Sequence, residues 1–121
     1  MAERVVIHDN RISVPLVVGA TRGRHGIYFG NVNSLSIRAN RLTLVRPSGA
    51  QDMQIDGVRI FGRVGRSIII RENHLQGFNT GVHFELRGAA PKTPMWLIND
   101  NLAENSSLVV SAPNGANKDK Q

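Results

Sequence analysis

Apolar and polar residues alternate in a short pattern that returns four times along the chain. Each copy begins with an apolar residue, has Ile two positions later and has Asn three positions after the Ile. In three copies an aliphatic residue follows two positions after the Asn. The copies are VVIHDNRI (5–12), LSIRANRL (35–42), IIIRENHL (68–75) and WLINDNLA (96–103). A period-two alternation over four or five residues predicts a short β-strand. The four copies therefore predict four equivalent units of strand, corner and strand.

A second recurring segment alternates with the first and carries a glycine near its start. Its copies are HGIYFG (25–30), DGVRIFG (56–62) and TGVHFE (80–85), with SLVV (107–110) expected as the fourth. Glycine permits the positive φ that a chain often needs when it turns a corner. The Asn positions are 30, 33 and 28 residues apart, and the longer circuits carry insertions at 17–24, 45–55 and 86–94. No 3.6-residue periodicity persists beyond one turn, which excludes a helical domain.

These units resemble the right-handed parallel β-helix of the pectate-lyase-like superfamily over about residues 4–111. The resemblance implies an all-β solenoid of about four coils, with three short strands in each coil. One coil cannot bury its apolar face, whereas stacked coils bury a continuous interior. One interior ladder is expected to contain Ile7, Ile37, Ile70 and Ile98. The other is expected to contain Ile27 and Phe29, Val58 and Ile60, Val82 and Phe84, and Leu108 and Val110.

The repeated Asn is expected to lie at a corner, where its side chain tolerates a left-handed backbone and bonds to the coils on either side. The members of this column are Asn10, Asn40, Asn73 and Asn101. A structural role explains these residues better than a catalytic one.

The length of 121 residues predicts one domain over 1–111, followed by a polar tail at 112–121 that we expect to be disordered. Four coils leave strand edges unpaired at both ends, and unpaired edges favour pairing with another strand. We therefore expect a homo-oligomer, or a chain that forms part of a longer protein.

Composition narrows the possible chemistry. The net charge is +6, and the basic residues are 12 Arg and 3 Lys. Cysteine is absent, which excludes a disulfide scaffold, a thiolate metal site and a cysteine nucleophile. The sequence contains neither an apolar run of the ~20 residues that cross a membrane nor a secretory leader pattern. Aromatic residues make up 5% of the chain, and the sequence motifs of nucleic-acid-binding domains are absent, so nucleic acid is a disfavoured partner.

Basic residues recur at outward positions on both sides of the repeated Asn. We call this set the secondary basic face, and its members are His8, Arg38, Arg71, Arg11, Arg41 and His74. An acidic column runs between them through Asp9, Glu72 and Asp100, interrupted at Ala39. The favoured interpretation is that opposite charges pair across neighbouring coils, each exposed pair contributing ~0–1 kcal/mol. The alternative is an anion-binding stripe.

The most mixed outward chemistry lies on the glycine-led strand. The candidate ligand-binding residues there are Tyr28, Arg59, His83, His25, Asp56 and Glu85. The insertions would add Arg22, Arg24 and Arg46 along one side of a shallow cleft. Arginine can bind carboxylates through two parallel hydrogen bonds, and a tyrosine ring can pack against a sugar. This pattern favours a linear acidic polysaccharide as ligand.

Catalysis is less well supported. The resemblance implies lyases that use an Arg or Lys base, often with Ca²⁺, but the sequence near Arg59 lacks enough carboxylates for a calcium site. Polygalacturonases of the same superfamily carry Gly-His-Gly and Arg-Ile-Lys motifs, which Arg24-His25-Gly26 and Arg59-Ile60-Phe61 resemble. Phe61 replaces the expected Lys, and the carboxylate pair that an inverting glycosidase needs is missing.

No catalytic residue, metal or cofactor is therefore assigned. The leading hypothesis is a non-catalytic protein that binds an acidic polysaccharide or a similar anionic polymer along an outward strand face. The alternatives are a structural β-solenoid segment of a tail fibre or coat, and a carbohydrate-active enzyme. That enzyme would be a polysaccharide lyase or epimerase in which Arg59 or His83 acts as the base, or a hydrolase.

Overall fold

The structure, a computed structural model, describes residues 2–16, 25–46, 55–87, 95–104 and 107–110. Within these ranges the chain forms ten β-strands and no helix, so none of these residues belongs to a helix long and apolar enough to cross a membrane. The strands are β1 (Ala2–His8), β2 (Arg11–Pro15), β3 (Ile27–Arg38), β4 (Arg41–Val45), β5 (Asp56–Arg71), β6 (His74–Gln76), β7 (Thr80–Leu86), β8 (Met95–Asn99), β9 (Leu102–Glu104) and β10 (Ser107–Val110). The insertion 17–24 with Arg22 and Arg24, and the tail 112–121, lie outside the described residues.

The strands form two sheets in which every described pairing is parallel. The larger sheet has six strands in the order β1-β3-β5-β7-β10, with β8 also paired to β5. The smaller sheet has the order β2-β4-β6-β9. Each repeat thus contributes strands to both sheets, and each lies beside the corresponding strands of the next repeat. The all-β class and the parallel arrangement expected from the sequence are confirmed.

The strand lengths differ from the expectation of three short strands in each repeat. β3 has 12 residues and β5 has 16, because backbone pairing between them continues from Ile27↔Val58 to Arg38↔Arg71. The register shifts on either side of Val32, next to Asn31 at φ 54°. The expected break between two strands is therefore a local irregularity within one longer strand.

The interior ladders follow the predicted register through the first repeats. Ile7 pairs with Ile37, Ile37 with Ile70, and Ile70 with Ile98. Ile37, Ile70 and Ile98 have no exposed surface, whereas Ile7 on the outermost strand is partly exposed. The second ladder is also observed, with Ile27↔Val58↔Val82 and Phe29↔Ile60↔Phe84 as its rows.

The fourth member of the second ladder was predicted incorrectly. Val110 is the partner of Val82, in place of the expected Leu108, because the register of β10 shifts between Ser107 and Val110.

The Asn column forms a continuous hydrogen-bonded ladder. The backbone N–H and the side-chain amide of Asn10 both donate to Oδ1 of Asn40, at 2.9 and 3.0 Å. Asn40 donates in the same way to Asn73 at 3.0 and 3.0 Å, and Asn73 donates to Asn101 at 3.1 and 2.9 Å. The expected left-handed conformation belongs to the preceding residue in each repeat, and those residues are Asp9, Ala39, Glu72 and Asp100, at φ 57–58°. Since the turn is made one residue earlier, each of the first three Asn residues presents its backbone N–H to the next Asn.

Trp96 has the packing role expected for it. Its side chain is buried and stacks on Phe84 with a ring-centroid distance of 6.5 Å. Its indole N–H donates to the backbone oxygen of Gly65 at 2.9 Å, which satisfies the one polar atom that the ring carries into the core.

Candidate functional site

The six residues predicted to bind a ligand lie together on β3, β5 and β7 and just before β3. Strand register places Tyr28 beside Arg59 and Arg59 beside His83. Asp56 opens β5, Glu85 lies beside Phe61, and His25 precedes β3. The outward positions of three adjacent strands therefore produce one continuous cluster.

Asp56 lies at the centre of this cluster and has no exposed surface. Its Oδ2 atom is 3.1 Å from Nδ1 of His83, 3.6 Å from Nη1 of Arg59 and 3.7 Å from Nδ1 of His25. A buried carboxylate is costly unless cations or hydrogen-bond donors surround it. His83 and Arg59 provide that environment.

The contacts of Asp56 assign opposite tautomers to the two histidines. A carboxylate only accepts hydrogen bonds, so Nδ1 of His83 carries the donated proton and Nε2 keeps its lone pair when the ring is neutral. Nδ1 of His25 instead accepts the backbone N–H of Asp56 at 3.1 Å, so the neutral ring of His25 carries its proton on Nε2. Burial lowers the pKa of His25, although the Asp56 carboxylate opposes this effect.

Arg59 is held by a second carboxylate. Its Nη2 donates to Oε2 of Glu85 at 2.6 Å, a short charge-assisted hydrogen bond. This bond raises the pKa of Arg59 further and lowers the pKa of Glu85. Arg59 therefore stays protonated, and a ligand carboxylate would compete with Glu85 for it.

Tyr28 presents an exposed aromatic surface over the cluster. Its ring centroid lies 4.7 Å from that of Phe61 and 5.3 Å from that of His25, and Cζ of Arg59 lies 5.9 Å from the same centroid. Phe61 lies closely against Gly30, where a Cβ atom would approach the Phe61 ring to 2.6 Å. Glycine at position 30 thus allows the two aromatic rings to meet.

A groove of about 600 Å³ opens beside the Tyr28–Phe61 pair. It is lined by Tyr28, Asn31, Phe61, Gly62, Arg63, Glu85 and Arg87. Oδ1 of Asn31 accepts the backbone N–H of Arg63 at 3.1 Å, and the backbone N–H of Arg87 donates to Gly62 at 2.8 Å. These bonds hold the backbone of two exposed arginines at the groove.

Sequence reasoning did not assign Asn31, Phe61, Arg63 or Arg87 to the site. Phe61 and Arg63 follow Arg59 at alternate positions, and this spacing was a signal that they share its side of the strand. Asn31 and Gly62, which shape this part of the groove, both have positive φ, and their residue types are the ones that tolerate this conformation.

The secondary basic face occupies the predicted register positions. His8, Arg38, Arg71 and Asn99 form one column, and Arg11, Arg41, His74 and Leu102 form the other. Three of its residues pair with acids of the following repeat, as the favoured interpretation predicts. These pairs are Arg38–Glu72 at 3.7 Å, Arg71–Asp100 at 3.2 Å and His74–Glu104 at 2.9 Å.

Two further residues have polar partners elsewhere. Nε2 of His8 lies 2.7 Å from Oγ of Ser36. Arg46, at the start of an insertion, donates to Asn79 at 3.0 Å, away from the residues that line the groove.

Across the described ranges, no group of three or more His, Asp or Glu side chains is arranged to hold a metal ion. The chemistry available at the site is therefore that of its charged groups, its two histidines and its aromatic surface. Comparison with protein-family models, curated proteins and solved structures finds no match to this chain.

Proposed function

We propose that this protein binds an acidic polysaccharide in the groove beside Tyr28, without changing it chemically. The observation that carries the proposal is the contact between exposed Tyr28 and half-buried Phe61 next to the exposed Arg63 and Arg87. Aromatic surface favours the apolar face of a sugar ring, while each guanidinium matches a carboxylate in a bidentate geometry. A polymer of uronic acids supplies both features in each unit.

The state of Arg59 favours binding over catalysis by that residue. A general base must release its proton near the working pH, but Glu85 and Asp56 both stabilise the protonated guanidinium. We infer that Arg59 orients Glu85 at the groove wall and does not abstract a proton.

One observation favours a second candidate, a lyase or epimerase in which His83 acts as the base. The hydrogen bond to Asp56 leaves Nε2 of a neutral His83 available, and about a third of the side chain is exposed. Incubation with polygalacturonate followed by ultraviolet detection of an unsaturated product would distinguish the two. A product that disappears in His83→Gln would replace the binding proposal with the catalytic one.

We further propose that the four repeats wind as a right-handed parallel β-helix of the pectate-lyase-like type, associating through its unpaired strand edges or continuing into a longer protein. Parallel pairing between all described repeats and the equivalent corners before each Asn support this arrangement. Light scattering across a range of concentrations measures the association, and a mass that stays monomeric argues against self-association.

Binding is tested with polygalacturonate and a neutral polysaccharide at low and high salt. We expect salt-sensitive binding of polygalacturonate alone, weakened about tenfold in Arg63→Gln/Arg87→Gln and also reduced in Tyr28→Ala. Arg4→Gln/Arg66→Gln changes two exposed arginines outside the groove lining and is the charge-matched control. Equal losses of affinity in the two double variants would show that polymer binding depends on the net charge of the protein and not on the groove.

A further inference from the structure

Two arginines of the smaller sheet lie side by side and have no carboxylate partner among the described residues. Arg11 on β2 pairs in register with Arg41 on β4, and both side chains are exposed. Neighbouring strands are ~4.8 Å apart, so the two guanidinium groups can reach the same small ligand. Ser13 and Thr43 form the next outward row in the same register and add two hydroxyl groups.

Neither member of this pair has the carboxylate contact that neutralises three other arginines among the described residues. Arg38, Arg59 and Arg71 each contact an acid of a neighbouring repeat, whereas neither Arg11 nor Arg41 forms an ion pair within the described chain. The acidic column that serves Arg38 and Arg71 is interrupted by Ala39, directly before Asn40 and Arg41.

The positions of the acidic residues show why the described part of the chain forms no ion pair with Arg11 or Arg41. The chain has nine acids, and within the described ranges five of them contact an arginine or histidine: Asp56, Glu72, Glu85, Asp100 and Glu104. Glu3 accepts a hydrogen bond from Asn33, and Asp52 and Asp119 lie outside the described ranges. Asp9 is exposed at the corner before Arg11 and offsets one of the two charges at most.

We propose that Arg11 and Arg41, with the hydroxyls of Ser13 and Thr43, bind a sulfate ester group of a sulfated polysaccharide. A carboxylate has two oxygens and is satisfied by one guanidinium fork, whereas a sulfate ester presents three terminal oxygens and can accept from both forks and a hydroxyl. Among the outward residues of β2 and β4 there is no aromatic ring on which a nucleic-acid base could stack, and this favours a polysaccharide as the carrier.

This second site lies on a different sheet from the groove and does not depend on the function proposed for it. Dextran sulfate and unmodified dextran are the probes, with titration calorimetry at low and high salt. We expect Arg11→Gln/Arg41→Gln to bind dextran sulfate about tenfold more weakly, with a log–log salt slope shallower by about one to two. The Arg38→Gln/Arg71→Gln control removes two arginines of the same face that already have acid partners, and should change the affinity much less.

Two further measurements make the result decisive. Arg11→Lys/Arg41→Lys keeps the charge but loses the planar forks, so it should bind less tightly than the parent chain and more tightly than the Gln variant. Polygalacturonate binding should be the same in Arg11→Gln/Arg41→Gln as in the parent, which separates this site from the groove. Two outcomes would overturn the proposal. The first is an equal loss of dextran sulfate affinity in the Arg11/Arg41 and Arg38/Arg71 variants. The second is tighter binding of polyphosphate than of dextran sulfate, with the same dependence on Arg11 and Arg41.

Discussion

At the scale of single residues, Asp56 organises the candidate site. Its buried carboxylate contacts His25, Arg59 and His83, and its backbone N–H directs the tautomer of His25. The sequence places these four residues on adjacent outward positions but does not show which of them is buried. Burial decides the chemistry here, because it makes the carboxylate depend on its partners.

Replacement of Asp56 by Asn should destabilise the fold by about 3 kcal/mol, because the change leaves Arg59 and His83 without their shared buried partner. Chemical denaturation followed by circular dichroism measures this loss. Glu72→Gln removes the acid of the exposed Arg38–Glu72 pair and should cost about 0–1 kcal/mol. Similar losses of unfolding free energy in both variants would show that Asp56 contributes no more to stability than an acid in an exposed ion pair.

The titration of His25 gives a prediction with a definite sign. Its pKa is lowered from 6.5 by burial, so the unfolded chain binds this proton at a higher pH than the folded chain. The stability contributed by neutral His25 is therefore complete above about pH 6.5 and is lost as the pH falls through the lowered folded value. Nuclear magnetic resonance of the imidazole protons measures the midpoint directly. A midpoint at or above 6.5 would contradict this account of the site, and His25→Gln should flatten the pH dependence of unfolding in the same window.

At the scale of secondary-structure elements, the Asn ladder joins the two sheets at every repeat. Each Asn lies between a strand of the larger sheet and a strand of the smaller one. In the last three repeats the Asn amide also donates to a backbone oxygen of the preceding repeat, from Asn40 to Ile7, from Asn73 to Ile37 and from Asn101 to Ile70. The ladder thus satisfies backbone groups at a corner where strand pairing is interrupted.

The loss of stability caused by replacing an Asn of the ladder with Ala should depend on the position of that Asn in the ladder. Asn40→Ala removes the acceptor for two donors of Asn10 and leaves polar groups unpaired at a buried position, so we expect a loss of about 2–4 kcal/mol. Asn10→Ala, at the exposed first position, should cost about 1 kcal/mol. Both values come from urea unfolding curves, and equal costs would indicate that the ladder contributes little.

At the scale of the whole molecule, the positions of the acidic residues decide which arginines are neutralised. Acids neutralise Arg38, Arg59 and Arg71, while the exposed Arg63 and Arg87 line the groove and Arg11 and Arg41 form a separate pair. The net charge of +6 is therefore divided among distinct surfaces, each with its own neighbours. Both binding proposals rest on this division and not on the total charge.

The amino-acid sequence by itself determined the repeat, the interior ladders of the first repeats and the gathering of six site residues. It could do so because a period-two alternation and a constant spacing identify which side chains share a face. Tertiary structure decided the rest: the left-handed residue before each Asn, the shifted register of β10, and the Glu85 bond that engages Arg59. It also decided that Arg63 and Arg87 meet at a groove and that Arg11 and Arg41 form no ion pair with the described residues. These features depend on distances and burial between residues far apart in the chain, which one-dimensional periodicity does not contain.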